Sequence, residues 1–107
     1  MTAPRLTSAL QVSALVRRVH AAGGFATVLA RGDATAGAMA LVLRDGGDMQ
    51  LVTRTLTAAG RYDWTPSAQG AEVDSWCERA RNRDPDLWIV ELDVPDAARF
   101  VAEMSAE

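Results

Sequence analysis

The sequence predicts an α+β domain in which three helices pack on a mainly antiparallel sheet of four to five strands. Three observations support this prediction. Residues 87–92 are apolar on both sides, a pattern typical of a strand whose two faces are both covered. Two glycines between two aspartates separate two other strand-like segments. Three further segments have apolar residues at helical spacing.

Length and composition indicate one globular domain over residues 1–107, with 49% hydrophobic and 23% charged residues. The formal net charge of −3 argues against a nucleic-acid partner, since such proteins usually carry a basic face. One Cys cannot form an intramolecular disulfide, and with one His it cannot build a usual zinc site. We therefore expect no metal and no other cofactor.

The N-terminal residues lack the apolar core of a secretion signal, and no apolar run is long enough to cross a bilayer. The sequence therefore predicts a cytoplasmic protein that is not attached to a membrane.

The first helix is predicted after Ser8, a residue typical of a helix N-cap, and ends at Gly23 and Gly24. Its apolar stripe has the spacing i, i+3, i+4, i+7 and consists of Val12, Leu15, Val16 and Val19. His20 lies in the last turn, where the backbone carbonyls favour a cation. We interpret it as a surface residue that caps the helix rather than as a metal ligand.

Three strands follow, at residues 25–31, 38–43 and 49–53. The first two are joined by a polar, glycine-bounded connection that contains Arg31-Gly32-Asp33, which we interpret as a turn between antiparallel neighbours. Asp45-Gly46-Gly47-Asp48 predicts a hairpin between the second and third strands. This turn has too few oxygen ligands for calcium.

Residues 61–66 predict a short edge strand that ends at Pro66. Tyr62 and Trp64 alternate with polar residues and so share one face of it. We expect the two rings to pack against a helix. If they are exposed instead, they are candidates for a ligand or partner platform.

A second helix is predicted over residues 71–83, with a buried stripe of Val73, Trp76, Cys77 and Ala80. Burial among apolar neighbours would raise the pKa of the Cys77 thiol and make it inert. Pro95 and Asp96 are suited to the first turn of a third helix, whose apolar stripe is Ala97, Phe100, Val101 and Met104.

The junction before residues 87–92 contains Asp84, Pro85 and Asp86. Pro85 ends the helix, because it has no N–H to donate and restricts Asp84 to extended conformations. We expect the two carboxylates to serve this turn rather than a ligand, one of them held by a forked pair with Arg81 or Arg83.

Sequence motifs of known chemistry are missing: there is no glycine-rich phosphate loop, nucleophile elbow or nucleotide-binding fingerprint. With one His, one Cys and no Lys, the available acid–base groups are carboxylates, Tyr62 and His20. This small set argues against an enzyme without excluding one.

Two blocks of sequence resemble the small bacterial family known as domain of unknown function 1491. They are SALVRRVHAAGGFATVLARGDATAGA at residues 13–38 and ERARNRDPDLWIVEL at residues 78–92, together 41 of the 107 residues. Residues 53–70 match less well. The resemblance implies no known activity, cofactor or catalytic residue.

Two functional hypotheses follow. The first is a small non-enzymatic protein that binds an unidentified protein partner or itself, suggested by three tryptophans and strands apolar on both sides. The alternative is a binder of, or an enzyme acting on, a small anionic ligand held by an Arg/Asp cluster. The candidate binding residues are Arg31, Asp33, Tyr62, Trp64, Arg81, Arg83, Asp84 and Asp86.

Overall fold

The computed structural model describes residues 6–105 and has the predicted α+β architecture. The elements in chain order are α1 (Ser8–Ala21), β1 (Phe25–Ala30), β2 (Met39–Asp45), β3 (Asp48–Leu56), β4 (Tyr62–Gln69), α2 (Glu72–Arg83), β5 (Trp88–Asp93) and α3 (Ala97–Ser105). The N-terminal segment was predicted to lack a secretion signal, and its residues 1–5 lie outside the described range. Among the described helices, none has the length and hydropathy needed to span a bilayer.

The five strands form one open sheet in the order β1-β5-β2-β3-β4. Neighbours are antiparallel except for β2 and β5, which are parallel. β5 therefore lies inside the sheet, as its sequence predicted. β1 and β4 are the two edge strands.

The prediction that β1 and β2 pair with each other is wrong, because β5 lies between them. The chain between β1 and β2 passes over the start of β5 and is bonded to it: Asp33 N–H donates to Asp86 O at 3.0 Å, and Trp88 N–H donates to Ala38 O at 2.8 Å. A strand that is apolar on both faces is most stable with a strand on each side and a helix over each face. The position of β5 between β1 and β2 satisfies both conditions.

Helices cover both faces of the sheet, and β5 contributes to both cores as predicted. Trp88, Val90 and Leu92 pack with α1 and α3, while Leu87 and Ile89 pack with α2. The buried apolar residues of α1 and α3 are Val12, Leu15, Val19, Ala97, Phe100, Val101 and Met104. Those of α2 are Val73 and Ala80.

The β2–β3 hairpin is confirmed, with Asp45 opposite Asp48 and a two-residue turn between them. Gly46 has φ of 64°, a left-handed conformation in which a side chain is strained. The strand pairing continues to Ala40 and Thr53. Both the location and the direction of this hairpin were therefore readable from the sequence.

Strand β4 is an edge strand, but it does not end at Pro66 as predicted. It continues to Gln69, and Pro66 lies opposite Val52 where the register with β3 shifts. An edge strand tolerates proline, because the N–H that proline lacks is not needed on the open side or at an irregularity.

Helix α1 is capped by Thr7 rather than by Ser8. Thr7 Oγ1 accepts a hydrogen bond from Leu10 N–H at 3.3 Å, while Ser8 is buried and its hydroxyl donates to Gly37 O at 2.8 Å. The Ser8 hydroxyl instead ties the start of α1 to the β1–β2 connection. Helix α3 begins at Ala97, later than predicted, because Asp96 has a positive φ of 55° and so lies in the preceding turn.

Candidate functional site

The junction residues and the β1–β2 connection lie together at the start of β5. Arg81, on the last turn of α2, joins them: its Nη1 donates to the carbonyl oxygens of Pro85 at 2.6 Å, Leu87 at 2.9 Å and Arg31 at 3.3 Å. The predicted forked pair between an arginine and a carboxylate of Asp84 or Asp86 is therefore wrong for Arg81. Carbonyl oxygens left free by the turn take the place of the carboxylate.

Asp33 organises the β1–β2 connection through both its backbone and its side chain. Its Oδ2 accepts from Thr35 N–H at 3.2 Å and Ala36 N–H at 2.9 Å, which closes a turn of the Asx type. Its carbonyl oxygen accepts from the indole Nε1–H of Trp88 at 2.7 Å. The expectation that this tripeptide forms a turn with a strained glycine is wrong: the turn lies after it, at residues 34–36, and Gly32 does not have a positive φ.

Arg31 is exposed, and its guanidinium lies over the ring of Trp88, 5.4 Å from the ring centroid. Arg83 is exposed at the end of α2. Asp84 Oδ1 accepts from Asp86 N–H at 3.1 Å, so one of the two junction carboxylates serves the turn, as expected. The bonds described at Asp86 involve its backbone, and its side chain is exposed.

Tyr62 and Trp64 lie far from this junction, on the opposite edge strand. Trp64 is half-buried and packs against the core beneath α1 and α3, as expected, while Tyr62 is 40% exposed. The guanidinium of Arg54 lies 5.1 Å from the Tyr62 centroid and 5.7 Å from that of Trp64. Arg54 Nη1 also donates to Gln11 Oε1 of α1 at 3.1 Å. Arg54 therefore contacts both rings and α1. The use of Tyr62 and Trp64 as a ligand or partner platform stays a prediction.

Three of the six large apolar side chains that are exposed within the described residues lie on β1, which was not a predicted site. Phe25 is 71% exposed, Leu29 51% and Val28 41%. The sequence identified this strand but not its position at the edge of the sheet, which depends on pairing with β5, more than fifty residues away. The only feature of the local sequence that could have indicated an exposed apolar edge is the absence of charge from the six residues of β1.

Two depressions flank β1. On the α1 side, an open groove of about 580 Å³ runs between α1 and β1, with apolar walls and two arginines, Arg17 and Arg31. On the α2 side, a cavity of about 250 Å³ has an apolar floor that includes Val42 and Ile89. Arg44 and Glu91, which form an ion pair, lie on its rim with Cys77. Among the described residues, no group of three or more His, Cys, Asp and Glu side chains is arranged to hold a metal ion.

Cys77 is half-buried rather than buried, because its side of α2 borders the open cavity. Burial raises the pKa of the thiol above its ordinary value, and the Asp74 carboxylate raises it further. The arrangement therefore disfavours the reactive thiolate.

We predict that native Cys77 reacts with a thiol reagent more slowly than the unfolded protein does, with a rate that rises at higher pH than for a free thiol. Because the folded state holds this proton more tightly, its contribution to stability is complete below the ordinary thiol pKa and is lost as pH rises through the raised value. Thiol labelling and denaturation between pH 7 and 10 test this. Cys77→Ser is the control, because it lacks the thiol whose titration makes the stability depend on pH. Native labelling as fast as that of the unfolded chain would contradict it.

An open, mostly antiparallel sheet with helices on both faces and an apolar edge strand places this protein among the layered α+β domains. The chain belongs to the family described as protein of unknown function (DUF1491), whose model matches residues 6–102. The resemblance seen in the two sequence blocks is thereby confirmed.

Solved structures support this assignment. An NMR structure of a DUF1491 family protein from Caulobacter crescentus CB15 is 33% identical, with a TM-score of 0.80 over 92% of this chain and 94% of that one. A crystal structure of a DUF1491 family protein from the same organism gives 34% identity and a TM-score of 0.81, over 90% and 94% of the two chains. A solution structure of a protein from A. tumefaciens gives 34% and 0.72, over 87% and 89%. No curated protein matches the chain.

Proposed function

We propose that this protein is a small non-enzymatic protein-interaction module and that β1 is its contact surface. The observation that carries this proposal is the difference between the two edges of the sheet. An uncovered edge strand presents unpaired N–H and C=O groups that can pair with a strand of another chain. Proteins usually protect such edges with charges, prolines or irregularities.

The β4 edge carries all three kinds of protection. It contains Asp63 and Pro66, and its register with β3 shifts between Leu51 and Val52. Its remaining side chains are largely polar and exposed. Pairing of another chain along β4 would therefore be interrupted at its centre.

The β1 edge carries no charge and no proline, and its irregularity lies near one end, between Val28 and Ala30. Phe25, Val28 and Leu29 expose apolar surface on both sides of the strand. Adding a chain here would remove this apolar surface from water. One backbone group of the edge is already paired, because Ala26 N–H donates to His20 Nε2 at 3.2 Å. A cytoplasmic setting is part of the proposal and is supported by the single, unpaired cysteine.

The alternative of a small anionic ligand has less support from the geometry. Arg81 directs its Nη1 at three carbonyl oxygens, and Asp33 uses its carboxylate within its own turn. These contacts give Arg81 and Asp33 a structural role as a brace between α2, β5 and the β1–β2 connection, which leaves Arg31, Arg83 and Asp86 as the exposed members of the Arg/Asp cluster.

We predict that placing two carboxylates on β1, with Phe25→Glu and Leu29→Glu together, reduces capture of partner proteins at least about tenfold, since each 1.4 kcal/mol of lost binding energy is a factor of about ten. The reason is that a strand paired with β1 would have to bury these charges. The measurement is affinity purification from the native cell with quantitative mass spectrometry.

The matched control places the same two charges on the other edge, with Thr65→Glu and Gln69→Glu, where both residues are exposed. This control should capture the same proteins as the wild type, and thermal unfolding should show that both variants are folded. Equal capture by the β1 variant and the wild type would contradict the proposal.

A further inference from the structure

We propose that the open groove between α1 and β1 binds a small molecule that has an apolar chain and a carboxylate, with the carboxylate held by Arg31. This inference goes beyond the proposed function, because the ligand is a small molecule and not a protein chain. Three features of the groove support it: its closed ends, the sign of the charges that line it, and the position of the Arg31 guanidinium.

The groove is elongated and is closed at both ends. Its α1 wall consists of residues between positions 9 and 17, which span about 12 Å along the helix axis. One helical turn further along the same face, His20 Nε2 accepts a hydrogen bond from Ala26 N–H at 3.2 Å, which joins α1 to β1. At the other end the groove meets Trp88, over which Arg31 lies. A polypeptide segment would have to pass these closed ends, whereas a small molecule fits between them.

The size and the walls of the groove suit an apolar chain. Its volume of about 580 Å³ lies within the range of roughly 300–1,000 Å³ that is typical of small-molecule sites. Val12, Val16 and Trp88 line it, and all three pack in the core beneath α1 and α3. Val28 lies opposite Val90 of that core, so it points to the same face of the sheet, and it is 41% exposed. A chain in the groove would remove Val28 from water.

Charge complementarity indicates that the ligand is an anion. Among the described residues, Arg17 and Arg31 are the charged residues that line the groove, and no carboxylate lines it. Both arginines are exposed, and neither forms an ion pair within residues 6–105. The carboxylate of Asp33, the nearest acidic residue to Arg31 in the chain, accepts hydrogen bonds from its own turn. The groove therefore presents unpaired positive charge beside apolar surface.

Arg31 is held in a position from which it can bind a carboxylate. Its guanidinium lies over the ring of Trp88, 5.4 Å from the centroid. That ring is held in turn, because it is buried and its Nε1–H donates to Asp33 O at 2.7 Å. A guanidinium stacked on an aromatic face keeps its N–H groups free to donate in its own plane. Such a fork matches the two oxygens of a carboxylate and loses little freedom on binding one.

Calorimetric titration with octanoate tests the site, and 1-octanol and octylammonium are probes with the same chain and a different charge. At low ionic strength we expect octanoate to bind one site with a Kd of about 1 mM or tighter. The other two probes should bind at least about threefold more weakly, the difference expected for one exposed ion pair. A smaller difference, or no saturable binding of octanoate up to about 10 mM, would overturn the proposal.

Amide chemical shifts measured by NMR locate the bound octanoate. We expect the largest changes at residues 9–17 and 28–31 and at Trp88. The cavity beneath α2 is the internal comparison, because it is also apolar but has Asp74 and Glu78 on its lining. Changes centred on that cavity would show that octanoate does not occupy the groove, and would overturn the proposed site.

Arg31→Gln should weaken octanoate binding at least about fivefold, because it removes the charged fork and keeps a polar side chain. Arg83→Gln is the matched control: Arg83 is also exposed and its replacement removes the same charge, but it does not line the groove. Thermal unfolding should show that both variants are folded. Equal affinity of the two variants for octanoate would overturn the role of Arg31. Neither Phe25 nor Leu29 lines the groove, so partner capture by the β1 variant tests the proposed function separately.

Discussion

Replacing Trp88 with Ala should lower the free energy of unfolding by about 3–5 kcal/mol, the usual range for a large core aromatic. Trp88 is only 2% exposed and lies in the core beneath α1 and α3. Its indole N–H donates to Asp33 O, so the ring also holds the β1–β2 connection over the start of β5. Removing the ring leaves a cavity and frees that connection. A loss of this size is a large part of the roughly 5–15 kcal/mol typical of a domain.

Urea denaturation followed by far-UV circular dichroism measures this loss. Trp88→Phe separates the two contributions, because it keeps most of the apolar volume and removes the hydrogen bond; we expect a smaller loss, of about 1–3 kcal/mol. Trp76→Ala is the matched control, since Trp76 is half-buried at the edge of the other core. A Trp88→Ala protein within about 1 kcal/mol of the wild type would contradict the anchoring role of Trp88.

Gly37→Ala should destabilise the protein by about 3 kcal/mol, the upper part of the range for overpacking. A Cβ at Gly37 would lie 2.9 Å from Trp88 Cδ1 and still closer to the carbonyl oxygen of Asp86. The backbone cannot easily move away, because Gly37 O accepts from Ser8 Oγ and Gly37 N–H donates to Asp33 O. The close approach, and not the conformation of the glycine, is what excludes a side chain.

Gly47→Ala is the matched control, because no atom lies within 4 Å of the position its Cβ would take and Gly47 does not have a positive φ. We expect its stability to stay within about 0.5 kcal/mol of the wild type. Denaturation of both variants measures the difference directly. Equal stability of Gly37→Ala and Gly47→Ala would show that the β1–β2 connection yields more easily than its contacts indicate.

Local patterns account for the elements that the sequence predicted correctly. The hairpin at Gly46 and Gly47, the two-sided strand at residues 87–92 and the apolar stripes of the helices depend on residues that are neighbours in the chain. Spacing and turn chemistry are sufficient for such features, because the side-chain directions of helices and strands have fixed periods. The errors at Ser8 and Pro66 arose where a distant partner decided the outcome: Gly37 for the first, and an edge position beside β3 for the second.

By itself, the sequence determined the kinds of element, their order and the two faces of β5. Only the tertiary structure decided that β5 separates β1 from β2, and hence that an uncharged apolar strand lies at an edge of the sheet. It also decided that Arg81 serves three carbonyl oxygens instead of a carboxylate. The physical reason is common to both. Strand neighbours and hydrogen-bond partners are selected by competition among residues far apart in the chain, and the local periodicity of the sequence does not depend on which of them wins.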